Sequence, residues 1–86
     1  MEIILIPESA VFLKNICYTK LVFDRVNKKL QTNLSNEEIK NLVNKIISDS
    51  ETSIIKRGKN YYLQNNHVEL VINSYNYRLI TANKKI

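Results

Sequence analysis

The sequence predicts an α+β domain: an N-terminal strand, two amphipathic helices, then a three- to four-stranded antiparallel meander covered on one face by the helices. Three observations carry this. The 86 residues suffice for one hydrophobic core, because a chain this short buries only about 60% of the surface it exposes unfolded, so residues 1–86 form a single domain. Apolar residues recur with a helical period up to residue 48. Beyond it, four short runs rich in Ile, Val and Tyr are separated by hairpin-length connections.

Glu2 to Ile6 reads as a strand because its aliphatic run stops at Pro7, which lacks the N–H that a ladder needs. Glu8 to Lys14 can open a helix with Pro7 in its first turn. Asn15 is a candidate N-cap for a helix over Ile16 to Leu30, whose core stripe is Leu21, Val22, Val26 and Leu30, widened by Ile16 and Phe23. Asp24 and Lys28 stand four apart on its surface. Ser35-Asn36-Glu37-Glu38 is a capping box, with Leu34 and Ile39 in the hydrophobic-staple positions. From there Ile39, Leu42, Val43, Ile46 and Ile47 form one apolar face, and the helix ends near Ser48.

The strands are expected at Ser53 to Arg57, Asn60 to Gln64, Val68 to Ile72 and Tyr77 to Ala82. Gly58 supplies a positive φ for the first turn, Asn65-Asn66 serves the second, and Asn73-Ser74-Tyr75-Asn76 makes the third.

Composition excludes several chemistries. The one cysteine, Cys17, has no internal partner, and with a single histidine there is no tetrahedral zinc set, so neither a metal nor a cofactor is expected. Cys17 is expected early in a helix and buried as a small hydrophobe, and the compartment a reducing cytoplasm. Ile3-Ile4-Leu5-Ile6 is too short for a signal-peptide core or a membrane span, which takes about 20 residues, so no membrane association is expected. His67, beside a turn with no neighbouring nucleophile, reads as solvated rather than catalytic. No catalytic residue is assigned from the sequence. One Gly among abundant Asn, Lys, Ile and Tyr matches the bias of an AT-rich bacterial or phage genome.

The net charge of +5 is unevenly placed: seven basic against six acidic residues up to Ser50, then six against two. The basic β half therefore carries the functional expectation, which is binding of RNA or DNA. Lys56, Arg57 and Lys59 would meet phosphates, and Tyr61 and Tyr62, followed by Tyr75, Tyr77 and Arg78, would add stacking surfaces and a further charge. The competing reading makes one tyrosine a core residue and the lysines edge-strand protection. It leads to a non-catalytic protein-binding module or inhibitor that works through an edge strand or a tyrosine face, with a protein partner or a homodimer.

Leu13-Lys14-Asn15-Ile16-Cys17-Tyr18-Thr19-Lys20-Leu21-Val22, Arg57-Gly58-Lys59-Asn60-Tyr61-Tyr62 and Ile72-Asn73-Ser74-Tyr75-Asn76-Tyr77-Arg78-Leu79-Ile80-Thr81 resemble the bacterial family known as domain of unknown function 3781. That resemblance implies no activity, cofactor or catalytic residue. In element order, in Ile4-Leu5-Ile6-Pro7-Glu8 and in Tyr77-Arg78-Leu79, the chain is also similar to the RelE/ParE toxins, small basic proteins that cleave ribosome-bound messenger RNA or inhibit gyrase. This similarity implies a toxin ribonuclease with an antitoxin partner, in which Arg78 stabilises a phosphoryl transition state aided by Lys56, Arg57 and Lys59. Whether the protein is an enzyme or a binding module is left open at this level.

Overall fold

A computed structural model describes residues 6–65 and 67–84. Three helices, α1 (Ser9–Asn15), α2 (Lys20–Leu30) and α3 (Asn36–Ser48), precede four strands, β1 (Ser53–Arg57), β2 (Asn60–Gln64), β3 (Val68–Asn73) and β4 (Leu79–Lys84). The strands form one antiparallel sheet in the order β1-β2-β3-β4. The strand expected over Glu2 to Ile6 lies outside the described residues except for Ile6, which is in no strand.

Register decides which residues face the helices. Tyr61 stands opposite Ile72 and Leu63 opposite Leu70, which in turn faces Ala82. These residues and Leu79 are all buried, so this is the face that the helices cover. They meet Phe12 of α1, Val22, Val26 and Leu30 of α2, and Ile39, Val43, Ile46 and Ile47 of α3 in one core. A bulge between Val71 and Ile72 shifts the β4 register.

α3 begins as expected. The Ser35 hydroxyl accepts from Glu38 N–H at 3.2 Å, and Ser35 N–H donates to the Glu38 carboxylate at 2.9 Å. Those bonds hold the Glu38 carboxyl below its ordinary pKa, the backbone N–H contributing most. A depressed carboxyl stabilises the fold above its unfolded pKa and loses that contribution as pH falls through its folded pKa. Glu38→Gln is therefore expected to flatten the acid limb of the stability–pH curve, read by denaturant unfolding across the carboxylate range. An acid limb identical to that of the unaltered chain would remove the capping carboxylate as its source.

The second helix departs from expectation. Asn15 is the last residue of α1 rather than a cap, and its Nδ2 donates back to Val11 O at 2.9 Å. α2 starts only at Lys20, after an N-cap at Thr19 that makes no side-chain cap bond. The reason is tertiary. Cys17 N–H donates to Tyr77 O at 3.0 Å and Leu79 N–H to Cys17 O at 2.9 Å, a parallel bridge against Arg78. Cys17 is thus exposed in an extended link, not buried in a helix. Ile16 and Tyr18, either side of it, pack against the core. α2 ends with Gln31 in the left-handed region (φ 58°).

Candidate nucleic-acid interface

The site is built by two turns that the sheet brings side by side. Gly58, at φ 62°, opens the two-residue turn between β1 and β2, the conformation glycine adopts without strain. Asn60 pairs with Asn73, so the longer β3–β4 connection lies beside this turn, and Ser74 N–H donates to Lys59 O at 2.8 Å. Asparagine side chains shape the second connection. Asn73 Oδ1 accepts from the N–H groups of Tyr75 and Asn76, and Asn76 Oδ1 accepts from Arg78 N–H at 2.9 Å. These bonds hold the chain out of the ladder, with Tyr77 at φ 57°, so β4 starts at Leu79 and not at Tyr77 as expected.

Lys56 and Arg57 close β1, Lys59 lies in the turn and Arg78 stands at the entry to β4, so four basic residues share one end of the sheet. All four are exposed. The carboxylates of this half sit at the other end. Glu69 pairs with Gln64, which pairs with Ser53, and Glu51 lies just before that strand. Asp49 accepts from Asn65 Nδ2 at 3.2 Å at the same end. Bonds from Glu51 N–H and Asn65 keep its carboxyl ionised to below its ordinary pKa. Lys84, paired with Val68, lies at this end too, so the end away from the site's two turns carries a mixed set of charges while the end at those turns carries basic residues.

The tyrosines divide. Tyr61 is 7% exposed and meets Phe12 edge-on at 5.1 Å between ring centroids. Burial, then the neighbouring Tyr77 phenol, raises its pKa. Tyr77 also lies edge-on to Phe12, at 5.6 Å. These two rings belong to the core and offer no open platform for a base. Tyr62 faces away from the helices with the Arg57 guanidinium 5.9 Å above its ring, and Tyr75 is 76% exposed at the tip of the β3–β4 connection. Of the five tyrosines, Tyr62 and Tyr75 are the ones whose rings stand on the helix-free face or at an exposed turn.

Sequence reasoning missed Arg25. It extends from α2 towards β4, its guanidinium near Ile80 O at 3.5 Å, and with Arg78, Thr19 and Leu21 it lines a cleft of about 340 Å³. Two guanidiniums at one cleft form an anion-accepting surface continuous with the basic end. Arg25 and Arg78 are far apart in sequence, and nothing but the docking of α2 on β4 joins them. His67 lines a separate cleft of about 200 Å³ with Asp49 and Lys45, at the mixed-charge end. The six residues of β3 put it roughly 20 Å from Arg78.

No group of three or more His, Cys, Asp and Glu side chains suited to a metal occurs among the described residues, and none of their helices is long and apolar enough to cross a membrane. A family model described as a protein of unknown function (DUF3781) matches residues 10–83, from α1 into β4. The chain belongs to that family. The DUF3781 match takes in both turns of the basic end, the α2 arginine and the Cys17 bridge. No curated protein and no solved structure matches the chain, and the similarity to RelE/ParE toxins is not shown by these comparisons.

Proposed function

We propose that this protein binds single-stranded nucleic acid at the basic end of its sheet. The observation that carries the reading is the sorting of charge by strand register, with Lys56, Arg57, Lys59 and Arg78 at one end and Asp49, Glu51 and Glu69, with Lys84 among them, at the other. Phosphates would lie along Arg57, Lys59 and Arg78 and enter the Arg25 cleft, while bases stack on Tyr75 and on the Tyr62–Arg57 pair. Charge and accessible rings support binding, and the integrity of the RNA reads cleavage separately. The single histidine is at the opposite end of the sheet from Arg78, so any acid–base group acting there would have to be a lysine or tyrosine.

Titration of labelled single-stranded RNA and DNA at two salt concentrations tests the reading. Affinity should fall steeply with salt and the RNA should be recovered intact. Absence of binding at low salt would refute it, and specific cleavage would replace the binding role with a catalytic one.

A further inference from the structure

The two edges of the sheet are treated differently. β4 is met at its start: Cys17 bonds its first residue, and Arg25 reaches the Ile80 carbonyl. β1 pairs with β2 on one side, is exposed at four of its five positions, and has no strand on its other side among the described residues.

Ladder parity tells which backbone groups of β1 point outward. Asn65 N–H donates to Val68 O at 2.9 Å, so the odd-numbered residues of β2 bond to β3 and the even-numbered Asn60, Tyr62 and Gln64 bond to β1. Their partners are Arg57, Ile55 and Ser53. The N–H and C=O groups of Ile54 and Lys56 therefore face away from the sheet.

We propose that β1 is a homodimer interface, pairing antiparallel with β1 of a second copy about a twofold axis through Ile55. In this register Ile54 and Lys56 of one copy exchange backbone bonds with Lys56 and Ile54 of the other, using the outward groups on both. Ile55, 38% exposed on the helix-free face, meets Ile55 of the second copy beside the Tyr62 ring. Charge is complementary in this arrangement. The twofold lays the mixed-charge end of each sheet against the basic end of the other, with Arg57 opposite Ser53 and Glu51 opposite Lys59 of the second copy. A slip of one residue in each copy towards the turn would set Lys56 against Lys56, and like charges directly opposite are destabilising. The product is one eight-stranded antiparallel sheet with no open β1 edge.

The test uses the full chain freed of nucleic acid, so that it is independent of the binding reading. Sedimentation over a range of concentrations should show a dimer that dissociates more readily in high salt. Ile55→Glu, which opposes two carboxylates, should raise the dimer dissociation constant at least about tenfold while circular dichroism remains that of the folded chain. Independently of that variant's folding, a Cys17→Ser, Ile55→Cys chain should oxidise to a covalent dimer, because Cα atoms at a non-bonded antiparallel pair stand about 4.5 Å apart, within disulfide reach. The Cys17→Ser, Ser53→Cys chain should not, since Ser53 faces Arg57 of the second copy. A monomer at every concentration overturns the proposal, as does cross-linking that is no faster at position 55 than at 53.

Discussion

Phe12→Ala is expected to lower the unfolding free energy by about 3–5 kcal/mol, the range for truncating a fully enclosed phenylalanine. An 86-residue domain has on the order of 4–13 kcal/mol in total, so the loss is about a quarter or more of it, and the midpoint should fall by roughly 12–40 °C. Phe12 is completely buried and is the one buried residue that α1 contributes. A seven-residue helix has no independent stability, so α1 is held by what this ring touches. The ring also meets Tyr61 and Tyr77 edge-on, and Tyr77 sits in a left-handed conformation that its surroundings must hold in place. Thermal and denaturant unfolding followed by circular dichroism measure the effect. Tyr75→Ala, at a ring 76% exposed, is the reference and should stay within about 0.5 kcal/mol of the unaltered chain. A Phe12→Ala loss no larger than that of the reference would mean that α1 is not part of the cooperative unit.

The second large effect concerns the basic end. Replacing Arg57, Lys59 and Arg78 together by alanine should weaken single-stranded nucleic-acid binding on the order of 100-fold at low salt and reduce the slope of log affinity against log salt by about 2, as three lost phosphate contacts would. Replacing Lys28, Lys29 and Lys45, all on helices, removes the same charge from elsewhere on the molecule. If affinity follows net charge alone, both triple variants fall equally and the end of the sheet has no special part. If it follows the site, the helix variant keeps most of the affinity. All six side chains are exposed, so each variant should remain folded, which a thermal scan confirms before titration.

Legibility in the sequence followed the range of the interactions involved. α3 was readable because its capping box, staple and apolar face all lie within fourteen residues of one another, and the strands because hairpin turns announce themselves locally. The start of α2 was not readable. Asn15 has the chemistry of a cap, but backbone bonds from Cys17 to Tyr77 and Leu79 hold the preceding residues extended, and nothing near Cys17 in sequence signals them. The entry to β4 was misplaced for the same reason, with Asn73 and Asn76 side chains occupying donors that a ladder would have used.

At the site, the excess of basic residues in the β half was countable, but its concentration at one end required the register. Alternation allowed one of Tyr61 and Tyr62 to be a core residue without saying which. Phe12 decides it by packing against Tyr61, leaving Tyr62 on the open face. Arg25 stayed hidden because its helix docks on the last strand of the fold.

The bridge between Cys17 and Arg78 also orders events in time. It closes a loop of about 60 residues, and the entropy of such a closure must be met before its two backbone bonds return anything. The β1–β2 and β2–β3 hairpins close over a few residues and form in microseconds. During synthesis Arg78 follows Cys17 by about 60 residues, so the bridge cannot form when Cys17 is first made. Until β4 docks, the two backbone bonds that hold Cys17 extended are absent. Docking of β4 and fixing of the link between α1 and α2 are thus one event, and the start of α2 is set only when that event occurs.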